Sequence, residues 1–200
     1  MINSEHEIFR VKKDNKEIVV GYDVEAQNPR KWDNNLTKMV CFHNTYNLGD
    51  EHDFKQSDYS SWDEVKKAIY RKEGGKDKIA VMKPLYMYNH GGITISTEPF
   101  NDRWDSGQIG WVYVTKDNIR ETYDIKRVTK EYREKAEELL NGEVEMYDKY
   151  LKGDIYRFDY LVDGEFKDCE TDLYGMNDVA MYVEEMVEDE ELFRMVEDKI

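Results

Sequence analysis

The sequence predicts a single α+β domain over residues 1–200, with helices packed on one face of a mainly antiparallel sheet. The predicted elements run in the order strands, helix, strands, two helices, hairpin and helix, which lacks the regular alternation of a parallel α/β sheet. Apolar residues make up 40% of the chain and aromatic residues 13%, enough to bury a core in a chain of this length. No Pro-, Gly- or Ser-rich linker separates two parts, which favours one domain.

Runs of β-branched and aromatic residues predict the strands. Asp14-Asn15 and Asp163-Gly164 each separate two such runs, and Asp-Gly is a strong hairpin-turn signal. Pro84 cannot donate a ladder hydrogen bond, so its strand is predicted to be an edge strand or to contain a bulge. The predicted strands are Glu7–Val11, Glu17–Tyr22, Thr37–His43, Ile79–Tyr88, Ile93–Ser96, Ile109–Thr115, Asp154–Val162 and Glu165–Thr171.

Capping residues and apolar spacing predict the helices. Ser61 and Glu64 have the spacing of a capping box, and the helix that begins there ends at Gly74-Gly75. Thr129 opens a longer helix that runs towards Tyr150-Leu151, with one weak point at Asn141-Gly142. A final helix from about Asp178 is predicted to bury an apolar stripe made of Val179, Tyr182, Val183, Met186, Val187, Phe193 and Val196.

The charge of the chain argues against several classes of protein. The formal net charge of −15 argues against direct binding of nucleic acid, because that binding depends on Lys and Arg, and it favours a basic protein partner. No apolar run is long enough for a membrane span, and the first residues lack the order of a signal peptide. Two cysteines without CxxC spacing predict neither a disulfide framework nor a zinc site. We therefore expect a cytoplasmic protein without cofactor or metal.

The acidic residues are concentrated in the C-terminal half, residues 131–200, which carry 23 acidic and 8 basic side chains. Acidic residues in the middle or at the end of a helix oppose the helix dipole, so their presence in the predicted last helix suggests that they serve a partner. A solvated helix face that keeps the protein soluble is the simpler interpretation. The residues predicted to bind a basic partner are Glu184, Glu185, Glu188, Asp189, Glu190 and Glu191.

The densest group of reactive side chains lies between residues 86 and 108. His90, Asp105 and Ser106 include the residue types of a base, an orienting carboxylate and a nucleophile, with His43 as a further imidazole near by. No Gly-x-Ser-x-Gly elbow accompanies them, and Asp105-Ser106-Gly107 also has the composition of a turn with Asx-type bonds. A metal site is a further interpretation, but helical His-x-x-x-His spacing is missing. Its candidate ligands are His43, His52 and His90 with Asp50, Asp53 or Asp105.

Three stretches carry a resemblance to a protein family. They are His90–Thr97, Trp104–Gly110 and residues 142–156, with the signature His-Gly-Gly-Ile-Thr-Ile-Ser-Thr followed by Trp-Asp-Ser-Gly-Gln. Through them the chain resembles a family of proteins, without an assigned activity, carried by bacteriophages, plasmids and bacterial genomes. The resemblance implies a small accessory protein of a mobile element, a class rich in inhibitors of host defence nucleases.

These observations lead to a functional hypothesis and its alternatives. We expect an anti-defence protein, such as an anti-CRISPR or anti-restriction candidate, that inhibits a basic host protein through an acidic and DNA-mimicking surface. The alternative is a small hydrolase or metal-dependent enzyme centred on His90, Asp105 and Ser106. A structural component without inhibitory role is the third interpretation. The sequence leaves the oligomeric state open.

Overall fold

A computed structural model describes residues 1–200 and has the predicted α+β class, with five α-helices and eight strands. The strands are β1 (Glu7–Lys13), β2 (Lys16–Tyr22), β3 (Lys38–Cys41), β4 (Ile79–Asn89), β5 (Ile93–Ser96), β6 (Ser106–Thr115), β7 (Ile155–Val162) and β8 (Glu165–Tyr174). The helices are α1 (Trp62–Lys72), α2 (Lys116–Tyr123), α3 (Lys130–Lys152), α4 (Met176–Met186) and α5 (Glu190–Glu197).

The chain divides into two compact units. Residues Met1–Asn28 and Lys149–Ile200 form the terminal unit, and residues Pro29–Asp148 form the central unit. Each unit contains one four-stranded antiparallel sheet, with strand order β1-β2-β7-β8 in the first and β3-β6-β4-β5 in the second. The strands are thus antiparallel, as predicted, but belong to two sheets instead of one. That the chain forms a single domain stays a prediction.

In the terminal unit, helices α4 and α5 pack on one face of the sheet, as the sequence predicts. The core contains Ile18, Val20 and Phe158 from the strands and Val183 and Leu192 from the helices, all fully buried. The turn between β7 and β8 places both Asp163 and Gly164 at positive φ, the conformation that favours Asp-Gly in a two-residue hairpin turn. One face of this sheet therefore supplies the apolar surface against which both helices pack.

In the central unit, helices make contacts on both faces of the sheet. Met82 packs with the core beneath α1, which contains Val65 and Ile69. The next residue, Lys83, has its Nζ 2.8 Å from an oxygen of Glu137 on α3. Because neighbouring strand residues point to opposite faces, α1 and α3 cover the two sides of this sheet.

Strand β4 is central in its sheet and pairs with both β5 and β6. The structure therefore corrects the prediction of an edge strand, while the predicted bulge is present as a register shift between Leu85 and Tyr86. Strand β5 pairs only with residues from Tyr86 onward, so β4 has a single partner at Pro84. Proline is tolerated there because that side of the strand is locally unpaired.

Two helical features differ from the prediction. The sequence reasoning missed α2, whose signal is Thr115: its side chain accepts a hydrogen bond from the Asn118 N–H and caps the helix. The predicted last helix is two helices, with α4 ending at Met186 and α5 beginning at Glu190. Asp189 caps the N-terminus of α5. An aspartate followed by two glutamates is a typical sequence for a helix start.

Candidate functional site

The acidic charge of the chain is concentrated in the terminal unit. This unit carries 22 acidic and 10 basic side chains, a balance of −12. The central unit carries 22 acidic and 19 basic side chains, a balance of −3. A negative potential outside the protein therefore arises mainly from the terminal unit, which contains all six residues predicted to bind a partner.

Asp189, one of these six residues, is bound within its own unit. Its carboxylate accepts hydrogen bonds from Lys13 Nζ at 2.9 Å, Lys16 Nζ at 3.3 Å and the N–H of Leu192 at 3.2 Å. The bond from Lys13, followed by that from Leu192, holds the pKa of Asp189 well below its usual range. The structure therefore gives Asp189 a role in joining α5 to the β1–β2 hairpin.

Glu190 and Glu191 lie in the first turn of α5. This contradicts the expectation that they oppose the helix dipole, since a negative charge at a helix N-terminus is favourable. Glu191 lies 2.9 Å from Lys13 Nζ, and Glu190 lies 3.8 Å from Arg194. Their charges are partly neutralised by their own chain.

Glu184, Glu185 and Glu188, which we call the α4 carboxylates, have no such compensation. All three side chains are exposed, and none forms an ion pair or a hydrogen bond. Glu184 and Glu185 lie in the last turn of α4, which contains no basic residue, and Glu188 lies just beyond the C-cap residue Val187. The α4 carboxylates add negative charge at the negative end of a helix dipole. For these three residues, the unfavourable position that the sequence predicts is confirmed.

An apolar recess adjoins the α4 carboxylates. It is lined by Glu170, Tyr182, Glu185 and Met186 and has a volume of about 260 Å³. Two carboxylates, an aromatic ring and a thioether lining one recess suit a cationic side chain with an aliphatic stem. This recess and the α4 carboxylates form the candidate interaction surface.

His90 and Asp105, the two best-matched residues of the alternative site, are brought together in the central unit. His90 Nδ1 lies 2.9 Å from Asp105 Oδ2, and the His90 ring stacks on Tyr88. The Ser106 hydroxyl donates to the backbone carbonyl of Asp102 and makes no bond to His90. The structure thus contains the base and its orienting carboxylate, with the serine directed elsewhere.

The loop before β6 is an Asx-type turn, but Asp102 forms it where Asp105 was expected. Asp102 Oδ1 accepts the N–H groups of Trp104 and Asp105, each at 2.8 Å. These bonds, that from Asp105 first, hold the pKa of Asp102 below its usual range. Ser106 and Gly107, predicted as part of the turn, are the first residues of β6.

Sequence reasoning missed a buried ionic network in the central unit. The Arg30 side chain is 2% exposed and donates to Asp50 through Nε and Nη2, both at 2.8 Å, and to Glu143 through Nη1, also at 2.8 Å. The partners lie 20 and 113 residues away in sequence, so no local spacing identifies them. The bonds from Arg30 to Asp50 and Glu143 join distant segments of the central unit, which gives the network a structural role.

The candidate thiol and metal ligands do not assemble into a metal-binding cluster. Cys41 is buried, and burial raises the pKa of its thiol to about 12, which makes it a poor nucleophile. Asp50 is bound to Arg30, and His52 Nε2 lies 3.0 Å from the carbonyl oxygen of Cys41. No group of three or more His, Cys, Asp or Glu side chains is arranged to hold a metal ion.

Comparison of the chain with family models, curated proteins and solved structures found no match. The resemblance to mobile-element proteins therefore stays a prediction carried by the three sequence stretches alone. None of the helices combines the length and the apolar character that crossing a bilayer requires.

Proposed function

We propose that the protein is an accessory protein of a phage or another mobile element that binds and inhibits a basic host protein in the cytoplasm. The partner class is a defence nuclease or another nucleic-acid-binding protein. The observation that carries the proposal is the set of free carboxylates on Glu184, Glu185 and Glu188 at the C-terminal end of α4. The chain places charge where it is unfavourable and supplies no cation, and a basic partner would relieve that cost. The mobile-element setting rests on the motif resemblance.

The recess beside the α4 carboxylates suggests how the partner is held. An arginine of the partner would pack its stem on Tyr182 and Met186 and direct its guanidinium to Glu170 and Glu185. A groove that binds nucleic acid presents such arginines to phosphates, so carboxylates at similar spacing compete for the same groups. The remaining charge of the terminal unit would accelerate association by electrostatic steering.

Affinity capture from a host lysate tests the proposal. The wild-type chain is immobilised, and proteins retained at about 50 mM and about 300 mM salt are compared, because screening weakens exposed charge pairs strongly over this range. The expected result is a basic nucleic-acid-binding protein that is retained at low salt and released at high salt. The captured protein is then purified, and its association rate with the wild-type chain is measured.

A charge-reversal variant and a matched control complete the experiment. The variant Glu184→Lys, Glu185→Lys, Glu188→Lys should lose the partner and slow association most at low salt. The control Glu51→Lys, Glu121→Lys, Glu138→Lys changes the net charge equally at exposed carboxylates of the central unit and should retain the partner. Equal association rates for the wild type and the first variant would exclude the α4 carboxylates as the docking site.

A hydrolase is the second candidate function, favoured by the 2.9 Å contact between His90 Nδ1 and Asp105 Oδ2. The carboxylate orients the ring so that Nε2 can accept a proton, and the nucleophile would be a water molecule, since Ser106 is bound to Asp102. In a screen of ester, amide and phosphoester substrates, His90→Ala should abolish any turnover while Ser106→Ala preserves it. Full activity of His90→Ala would eliminate this candidate.

A further inference from the structure

Trp104 is an almost fully exposed tryptophan on a loop held by several hydrogen bonds. Its relative exposure is 95%, whereas a large aromatic side chain is ordinarily buried for the most part. Asp102 bonds the backbone N–H groups of Trp104 and Asp105, and the Ser106 hydroxyl bonds the Asp102 carbonyl. A rigid backbone that presents an indole ring to solvent reduces the entropy lost on binding, which is typical of a recognition site.

A depression of about 370 Å³ lies beside Trp104, at the lower end of the range for small-molecule sites. Its lining includes the buried side chains of Met87 and Ile109. No Lys or Arg lines it, and Asp105 is its only carboxylate. A phosphorylated ligand would meet a negative charge without a cation, so the depression does not suit an anion. Its one carboxylate, Asp105, is already bonded to His90, which favours a neutral ligand over a cation.

His43 in this depression has a defined hydrogen-bonding role. Its Nδ1 accepts the backbone N–H groups of Thr45 at 3.2 Å and Tyr46 at 3.1 Å, and its ring stacks on Tyr46. Because Nδ1 is the acceptor, the neutral ring carries its proton on Nε2. His43 therefore offers a donor whose tautomer is set by its own loop.

Further polar atoms around the depression also have no partner within the chain. The Asn89 side chain makes no hydrogen bond and offers both a donor and an acceptor. Gln108 uses Nε2 on the carbonyl oxygen of Gly110, which leaves Oε1 as an acceptor. Asp105 uses Oδ2 on His90, which leaves Oδ1 as an acceptor. Donors and acceptors thus line the depression beside an exposed indole ring.

We propose that this depression binds a neutral pyranose saccharide. The C–H face of the sugar stacks on Trp104, and its hydroxyls, each both donor and acceptor, bond to His43, Asn89, Asp105 and Gln108. The site binds without cleaving, since glycoside hydrolysis generally requires a second carboxylate across the sugar. This site lies in the central unit and goes beyond the proposed inhibitor function.

NMR titration of the Trp104 indole N–H tests the proposal. Methyl glycosides of glucose, galactose, mannose and N-acetylglucosamine are added to ¹⁵N-labelled full-length protein up to about 20 mM, a range that detects millimolar dissociation constants. At least one sugar should shift the Trp104 signal in a saturable manner. Trp104→Ala should weaken binding of that sugar at least about tenfold, measured by calorimetry, while Trp104→Phe retains most of it.

Control variants separate this site from other surfaces and from misfolding. Phe166→Ala removes an exposed aromatic ring from the terminal unit and should leave sugar binding unchanged. Trp104→Ala should keep the far-ultraviolet circular dichroism of the wild type, because the ring buries little area. The proposal is overturned if no glycoside shifts the Trp104 signal, if Trp104→Ala binds as well as the wild type, or if adenosine binds while the glycosides do not.

Discussion

The Nη1 atom of Arg30 lies 2.8 Å from an oxygen of Glu143, joining the start of the central unit to helix α3 across 113 residues of sequence. Glu143 also accepts the N–H of Leu36 at 2.7 Å, and Thr37 donates to the same carboxylate through its hydroxyl. Arg30 holds Asp50 at the same time. The buried guanidinium of Arg30 therefore balances the charges of two carboxylates, and its removal would leave both without this cation.

Arg30→Ala should lower the free energy of unfolding by about 3–5 kcal/mol, the cost of leaving buried charge unpaired. Chemical denaturation with urea, followed by circular dichroism, measures the change. Lys130→Ala breaks an exposed ion pair with Glu134 on α3 and should cost at most about 0.5 kcal/mol. Equal stabilities for the two variants would contradict the role of the network.

Asp189 should make stability depend on pH in the acid range. Because Lys13 and the N–H of Leu192 depress its folded-state pKa, its stabilising contribution is complete above the unfolded pKa of about 3.9 and declines as pH falls towards the folded value. Asp189→Asn removes the charge but keeps a capping side chain. The difference in melting temperature between wild type and Asp189→Asn should therefore be larger at pH 6 than at pH 3. A difference independent of pH would be contrary to this expectation.

The α4 carboxylates should lower the stability of the free protein. Replacing Glu184 and Glu185 by Lys puts positive charge at the C-terminal end of α4, which should raise the free energy of unfolding by about 0.3–1 kcal/mol per residue at low salt. The matched double variant Glu190→Lys, Glu191→Lys should lower it, because both residues lie in the first turn of α5 and Glu191 pairs with Lys13. Urea titrations at low and high salt compare the two variants, and the same sign for both would refute the dipole argument.

The two cysteines should differ in reactivity. Cys41 is buried with its thiol pKa raised to about 12, whereas Cys169 is half-buried on β8. With a thiol reagent at pH 8, Cys169 should react in the native protein, and Cys41 should react only after unfolding in denaturant. Cys169→Ser should abolish the native reaction and Cys41→Ser should preserve it. Rapid modification of Cys41 in the native protein would show that its burial is transient.

Local signals were enough to predict most elements. Asp163-Gly164 sets its turn through the backbone conformation of those two residues, and Ser61 caps α1 by accepting the N–H of Glu64. The α+β class follows from the order of such elements. Of the residues grouped in the alternative site, His90 and Asp105 lie in contact although they are 15 positions apart, while Ser106 bonds elsewhere.

The sequence by itself determined the type of each local element, because turns and helix caps depend on residues close together in the chain. It also determined the excess of acidic residues in the later part of the chain, which is a matter of composition alone. Tertiary structure decided that the strands form two sheets and that the buried partners of Arg30 are Asp50 and Glu143. It also decided which acidic residues remain free. Lys13 and Lys16 reach Asp189 from the other end of the chain, while no cation reaches Glu184, Glu185 or Glu188. The physical reason is that charge compensation depends on distance in space, and distant segments approach only when the strands pair and the helices pack.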